Sequence, residues 1–121
     1  MLRPTSLWLV GLSFIASAAR AEEGVEAAAE DVREGRRVAL LVCSTCHVVE
    51  RGQPFGPSLE PPATPFQTIA QRSNIDADYL RTFLTTTHSS ASNLRAMPNP
   101  QLTDTYVRQV TAYLLSLRKR P

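Results

Sequence analysis

The chain has 121 residues, a length that accommodates one domain. Hydrophobic residues make up 43% and charged residues 20%, which excludes a disordered, collagen-like or multi-span membrane protein. The formal net charge of +2 is too small for a nucleic-acid-binding surface, and basic residues do not alternate with aromatic ones. Two cysteines, two histidines and two methionines leave very few ligands for a metal site.

The N-terminus has the layout of a secretory signal peptide. Arg3 precedes an apolar stretch over residues 7–16, and Ala19-Arg20-Ala21 is typical of a cleavage site. The stretch is shorter than the roughly 20 residues of a membrane span, which disfavours the alternative of an uncleaved anchor. We therefore expect residues 1–21 to be removed and the mature protein to reach the periplasm. Loss of Arg3 and Arg20 leaves eleven basic and eleven acidic residues, a net charge of zero.

The first predicted helix follows a short acidic segment. Residues 22–30 are acidic and alanine-rich, and we expect them to form a flexible lead-in to a domain over residues 31–121. A helix is predicted over residues 31–42, with Asp31 as its N-cap. Gly35 lies in mid-helix, where glycine costs about 1 kcal/mol relative to alanine, and it indicates a close approach of two helices.

A proline-rich loop separates this helix from the next elements. The loop is predicted over residues 51–65, five of which are proline, and this excludes a continuing helix or a central strand. A short helix is predicted over residues 65–71. A third helix follows the N-cap Asp76, with Ile75 and Leu80 as a hydrophobic staple.

The C-terminal part is a loop followed by an amphipathic helix. Residues 85–100 are polar and contain two prolines, so a loop is predicted there. Thr103 is predicted to be the N-cap of the last helix. The basic residues 118–120 are interpreted as favourable charges at the negative C-terminal end of the helix dipole, in preference to a docking patch. Because no segment alternates with a two-residue period, the fold class is all-α, with three to four helices. The predicted apolar stripe of the last helix is Tyr106, Val110, Tyr113, Leu114 and Leu117.

The motif Cys43-Ser44-Thr45-Cys46-His47 directly follows the first predicted helix. C-x-x-C-H is the attachment signature of c-type haem, because two thiols one helical turn apart add to the two vinyl groups of one porphyrin and the next imidazole reaches the iron. A redox disulfide is an alternative, but it expects a βαβ context. A zinc site of Cys43, Cys46, His47 and His88 is disfavoured, because adjacent residues chelate one tetrahedral ion poorly. A chance occurrence of the motif is the third alternative.

Haem iron in an electron carrier takes a sixth ligand, and the mature chain offers two candidates. Met97 is the only methionine after cleavage, is followed by Pro98 and lies outside the amphipathic stripes, although a lone methionine is more often a core residue. His88 is the second candidate, and it also fits an exposed loop histidine or a partner of a haem propionate. The third alternative is that the sixth position has no protein ligand.

These features resemble the small bacterial class I (monohaem) c-type cytochromes over residues 31–118. The resemblance implies a cytochrome c-like fold around one covalently bound haem c, with Cys43 and Cys46 as attachment points and His47 and Met97 as axial ligands. It also implies that the Pro57 carbonyl accepts a hydrogen bond from His47. It implies further that the tyrosine of the last helix packs on Gly35. The residues that carry the resemblance are Gly35, the C-x-x-C-H motif, Gly56-Pro57-Ser58-Leu59, Met97-Pro98 and Ala112-Tyr113-Leu114.

The function implied is one-electron transfer, without catalytic residues, by a protein that is either a free monomeric carrier or a subunit of an oxidoreductase. Its partners would be redox proteins such as a donor dehydrogenase or a terminal oxidase, with no nucleic acid, and with a membrane only if the signal stays uncleaved. The alternative is a five-coordinate haem protein that binds a gas or another small ligand, which requires Met97 not to bind the iron. The expected apolar wall of the haem is Val42, Leu59, Phe66, Ile69, Leu80, Phe83 and Leu94.

Overall fold

The computed structural model describes residues 15–86 and 97–118, and this part of the chain contains four α-helices. No strand occurs in these residues, which contain an isolated parallel bridge between His47 and Ala63. No helix within these ranges is long and apolar enough to cross a membrane. The predicted all-α class is therefore confirmed. The helices are α1 Ile15–Val42, α2 Phe66–Ala70, α3 Ala77–Thr85 and α4 Asp104–Ser116.

Helix α1 begins earlier than the sequence pattern predicts. It starts at Ile15, so Asp31 lies within the helix and the prediction that it is the N-cap is wrong. Residues 22–30 are helical, in contrast to the expected flexible lead-in, because alanine and glutamate are good helix formers. Arg33, which follows this segment on the same helix, stabilises its helical conformation by donating hydrogen bonds to Glu26 and Glu30, both at 3.1 Å. The end of the helix at Val42 agrees with the prediction.

Helices α1 and α4 cross closely at Gly35. A Cβ atom at this position would overlap the backbone carbonyl of Gln109 and lie 2.9 Å from the Cβ of Tyr113. Only glycine fits this crossing, which confirms the close approach and the packing of Tyr113 on Gly35. At the same crossing, Arg108 Nε donates to Asp31 Oδ2 at 2.9 Å, and this bond lowers the pKa of Asp31 below its usual value.

The starts of α3 and α4 follow the predicted caps. The Asp76 side chain accepts a hydrogen bond from Tyr79 N at 2.7 Å, and Thr103 Oγ1 accepts one from Tyr106 N at 3.3 Å. Each cap satisfies one backbone N–H that has no partner within its own helix. The chain therefore enters both helices at defined residues, which sets the rotation of each helix about its axis.

The buried face of α4 differs in part from the predicted stripe. Tyr106 is 40% exposed, whereas Val107, which the stripe omits, is 2% exposed. The sequence pattern is obscured by Thr111, a polar residue on the buried face. The buried face consists of Val107, Val110, Thr111, Tyr113 and Leu114.

Candidate functional site

A cavity of about 430 Å³ lies between α2, α3, α4 and the loops that follow α1, α2 and α3. Cys43, Cys46, His47 and Met97 all line it. Its wall is otherwise mainly apolar, so it suits a flat hydrophobic molecule with a few polar anchoring points. The fold thus brings together residues that are up to 54 positions apart in the sequence.

Most of the predicted apolar wall lines this cavity. Val42 does not, because it is 42% exposed at the end of α1, and Leu94 lies outside the described residues. Sequence reasoning assigned Val110 and Leu114 only to helix packing, but α4 also presents them to the cavity. The predicted wall residues that line the cavity are Leu59, Phe66, Ile69, Leu80 and Phe83.

The two cysteines lie on one turn that continues from α1. Cys43 N donates to Ala39 O at 2.8 Å, and Cys46 N donates to Cys43 O at 3.1 Å. Both thiols are free, and burial of Cys43, with Cys46 as a second cause, raises the pKa of the Cys43 thiol to about 11. A redox C-x-x-C pair instead needs a thiol with a lowered pKa as its nucleophile. The Cys43 thiol is therefore not activated as the nucleophile of a redox disulfide.

The His47 ring is oriented by a backbone carbonyl. Its Nδ1 lies 2.7 Å from Thr64 O. A carbonyl only accepts, so Nδ1 carries the proton and donates, and Nε2 keeps a lone pair for a metal. The expectation that Pro57 accepts this bond is wrong, because Thr64 takes that place. Thr64 accepts through its backbone carbonyl, which every residue has, so the type of its side chain could not have identified it from the sequence.

Backbone hydrogen bonds between the proline-rich loop and the haem motif explain why Thr64 is the acceptor. The bond from Ala63 N to the carbonyl of Cys46 places the next carbonyl, that of Thr64, beside the imidazole of His47. The bond from Ser58 N goes to Thr45 instead, so it attaches the chain next to Pro57 to the turn before His47. Phe66 then contacts the edge of the His47 ring, with ring centroids 5.5 Å apart. The bonds run from Ser58 N to Thr45 O (2.8 Å), from Ala63 N to Cys46 O (2.8 Å) and from Phe66 N to Val48 O (3.0 Å).

Gln53 holds the segment after His47, a role that sequence reasoning missed. Its Oε1 accepts from Val49 N at 2.7 Å, and its Nε2 donates to Phe55 O at 2.7 Å. Val49 is fully buried, so its N–H depends on this side chain. Gln53 therefore acts as a positioning residue for the loop that follows His47.

We expect Gln53→Ala to lower the free energy of unfolding of the haem-loaded protein by about 1–3 kcal/mol, because it leaves a buried N–H unpaired. Guanidinium denaturation followed by circular dichroism measures the loss. Gln53→Glu keeps the acceptor for Val49 N but places a second acceptor against Phe55 O, so it should also lower the stability. Equal stability of the alanine variant and the wild type would contradict the role given to Gln53.

Met97 reaches the cavity on a loop that is tied to the end of α3. The side chain is half-buried and lines the cavity together with Pro98. Asn99 Nδ2 donates to Thr85 O at 3.1 Å, and Asn99 Oδ1 accepts from Gln101 N at 2.8 Å. Asn99 therefore anchors the loop, a contact that the sequence did not indicate. The other ligand candidate, His88, lies outside the described residues.

The donor set of the cavity fits a haem better than a zinc ion. Within residues 15–86 and 97–118, no three histidine, cysteine, aspartate or glutamate side chains are grouped to hold a metal. The proposed haem anchors are instead two thiols on one turn, an imidazole with a free Nε2 and a thioether, all lining one apolar cavity. This is the set of groups that covalent attachment and axial ligation of haem c require.

The family model described as Cytochrome c matches residues 32–118. The four helices of the described residues, a C-x-x-C-H turn and this match define a small c-type cytochrome, a protein that carries covalently bound haem c with its iron and transfers electrons. The chain belongs to the cytochrome c family. No curated protein and no solved structure matches the chain.

Proposed function

We propose that the protein is a periplasmic one-electron carrier in which Cys43 and Cys46 bind the haem as thioethers and His47 and Met97 are the axial ligands. The observation that carries this proposal is that the oriented imidazole and the only methionine of the mature chain line the same apolar cavity. Bound there, haem c supplies the Fe(III)/Fe(II) couple. The protein supplies the ligands, the environment and the exclusion of competing reactions.

Each proposed ligand has a distinct effect on that couple. The bond from His47 Nδ1 to Thr64 O fixes the tautomer and makes Nε2 a better donor. A thioether ligand from Met97 raises the reduction potential relative to a second histidine. If His47 and Met97 both bound the iron, they would leave small molecules no vacant coordination site, and the bound haem would supply electron transfer without chemistry on a substrate.

Export and partners are part of the same proposal. Residues 1–21 have the sequence features of a cleaved secretory signal, and these features support export of the mature chain. The mature net charge of zero favours docking by local contacts over long-range attraction. Exposed apolar residues flank the haem motif in the sequence, among them Leu41 and Phe55, and they support docking of donor and acceptor proteins near the motif.

The sixth ligand is tested by Met97→Leu in protein that is exported and matured with haem. The wild type should show a low-spin spectrum, a methionine-to-iron charge-transfer band and no change with carbon monoxide. The variant should lose that band, bind carbon monoxide stoichiometrically when reduced and have a lower midpoint potential. His88→Ala is the matched control, and its spectrum should equal that of the wild type. A wild type that binds carbon monoxide rapidly would indicate a ligand-binding haem protein instead.

A further inference from the structure

An ion pair joins α1 to the loop that follows the haem motif. Arg36 Nε donates to Glu50 Oε2 and Arg36 Nη2 donates to Glu50 Oε1, both at 2.6 Å. Two parallel hydrogen bonds between a guanidinium and a carboxylate fix the relative orientation of the two groups, which a single contact does not. The Glu50 side chain is 22% exposed, so its carboxylate is partly shielded from water. Glu50 therefore has a defined position although it lies in a loop.

Val49, the residue before Glu50, is held from two further directions. Its N–H donates to Gln53 Oε1 at 2.7 Å, and its carbonyl accepts a hydrogen bond from the Tyr113 hydroxyl of α4 at 3.4 Å. Groups from α1, α4 and the loop itself thus hold two consecutive residues. Because His47 lies only three positions before Glu50, these contacts anchor the segment that carries the imidazole.

This anchoring reaches the hydrogen bond of the His47 ring through the backbone. The carbonyl of Val48 accepts a hydrogen bond from Phe66 N at 3.0 Å. Thr64, whose carbonyl lies 2.7 Å from His47 Nδ1, is only two residues before Phe66. A displacement of Val48 would therefore move the Thr64 carbonyl relative to the imidazole.

We propose that Arg36 and Glu50 are positioning residues for His47. Their ion pair holds Val48 in place and thereby keeps the Thr64 carbonyl against the imidazole. The inference rests on His47 as a haem ligand, which is part of the proposed function, but it does not depend on the sixth ligand. A donated Nδ1–H makes an imidazole a more basic ligand. A more basic ligand favours the ferric state, which carries one more positive charge, so loss of the ion pair should raise the midpoint potential.

The midpoint potential of the haem-loaded protein, measured by spectroelectrochemistry, separates positioning from a simple effect of charge. Arg36→Lys keeps the charge but cannot form the two parallel bonds, so it should raise the potential. The matched control is Arg37→Gln, because Arg37 has the same side-chain exposure of 53% and pairs with Glu34 of its own helix. Arg36→Gln removes the same charge from α1 and should have a higher potential than Arg37→Gln. Equal potentials in these two variants would overturn the proposal.

The hydrogen bond of His47 itself is read by proton NMR of the reduced protein with nitrogen-15-labelled histidine. The chain contains two histidines, so few resonances need assignment. The His47 Nδ1–H proton should shift upfield in Arg36→Lys and Glu50→Gln and keep its position in Arg37→Gln. An unshifted proton in the Arg36 and Glu50 variants would overturn the proposal, and Arg36→Lys decides alone if the glutamine variants do not fold. The wild-type optical spectrum, with and without carbon monoxide, tests the axial ligands separately.

Discussion

Replacing both thiols, as Cys43→Ala with Cys46→Ala, is expected to abolish covalent haem and most of the helical structure. The thiols are the proposed covalent anchors, and the cavity they line measures about 430 Å³. An apolar cavity costs about 24 cal/mol per Å³, so leaving this one empty would cost on the order of 10 kcal/mol. That is comparable with the whole stability of a typical domain. Filling this cavity makes the haem a central part of the hydrophobic core.

Haem staining of a denaturing gel and far-ultraviolet circular dichroism measure the two losses. The single variants Cys43→Ala and Cys46→Ala serve as matched controls, because each retains one thioether. They should keep bound haem, and the pyridine haemochrome spectrum should show one saturated vinyl group in place of two. A double variant that is free of haem and still has wild-type helix content would contradict the expectation.

Replacing Gly35 with alanine is expected to lower the free energy of unfolding by about 2 kcal/mol. Alanine gains up to about 1 kcal/mol over glycine in a helix interior, but overpacking a tight contact typically costs about 1–3 kcal/mol and more where backbone must move. At Gly35 the obstructing atoms belong to the Gln109 backbone and the Tyr113 Cβ, which have no rotamer to change. The overpacking should therefore exceed the gain in helix propensity.

Gly24 provides the matched control for this substitution. It lies on the same helix, and an added Cβ would meet no atom within 4 Å. Gly24→Ala should therefore leave the free energy of unfolding unchanged or slightly raised. Guanidinium denaturation of the haem-loaded protein measures both variants. Equal stability changes at the two glycines would show that the crossing of α1 and α4 adapts to a methyl group without cost.

The haem motif and the helix starts could be predicted because they depend on neighbouring residues. The spacing of Cys43, Cys46 and His47 is a property of one turn, and the caps at Asp76 and Thr103 involve a backbone N–H three residues away. Such short-range geometry is the same in most folds. The start of α1 was the exception, because the alanine- and glutamate-rich residues before Asp31 continue the helix towards the N-terminus. Asp31 therefore lies within the helix, where it pairs with Arg108.

Gly35 also allowed a prediction about tertiary packing, although it is a single residue within a helix. A glycine in a helix has a cost, so its presence indicated a packing reason. The structure supplies that reason in Gln109 and Tyr113. The same tyrosine contacts the ring of Phe66, with centroids 6.5 Å apart, and Phe66 contacts His47. The crossing of the terminal helices is thereby connected to the ring of His47.

By itself, the sequence determined the helical class, the covalent haem motif and the short set of candidate ligands, because each follows from residue type and spacing along the chain. Only the tertiary structure decided that Thr64 orients His47 and that Asn99 anchors the Met97 loop. The two anchoring contacts join residues 17 and 14 positions apart. Such contacts depend on the path of loops, which is set by backbone hydrogen bonds and by how the helices close around the cavity, and side-chain patterns do not encode that path.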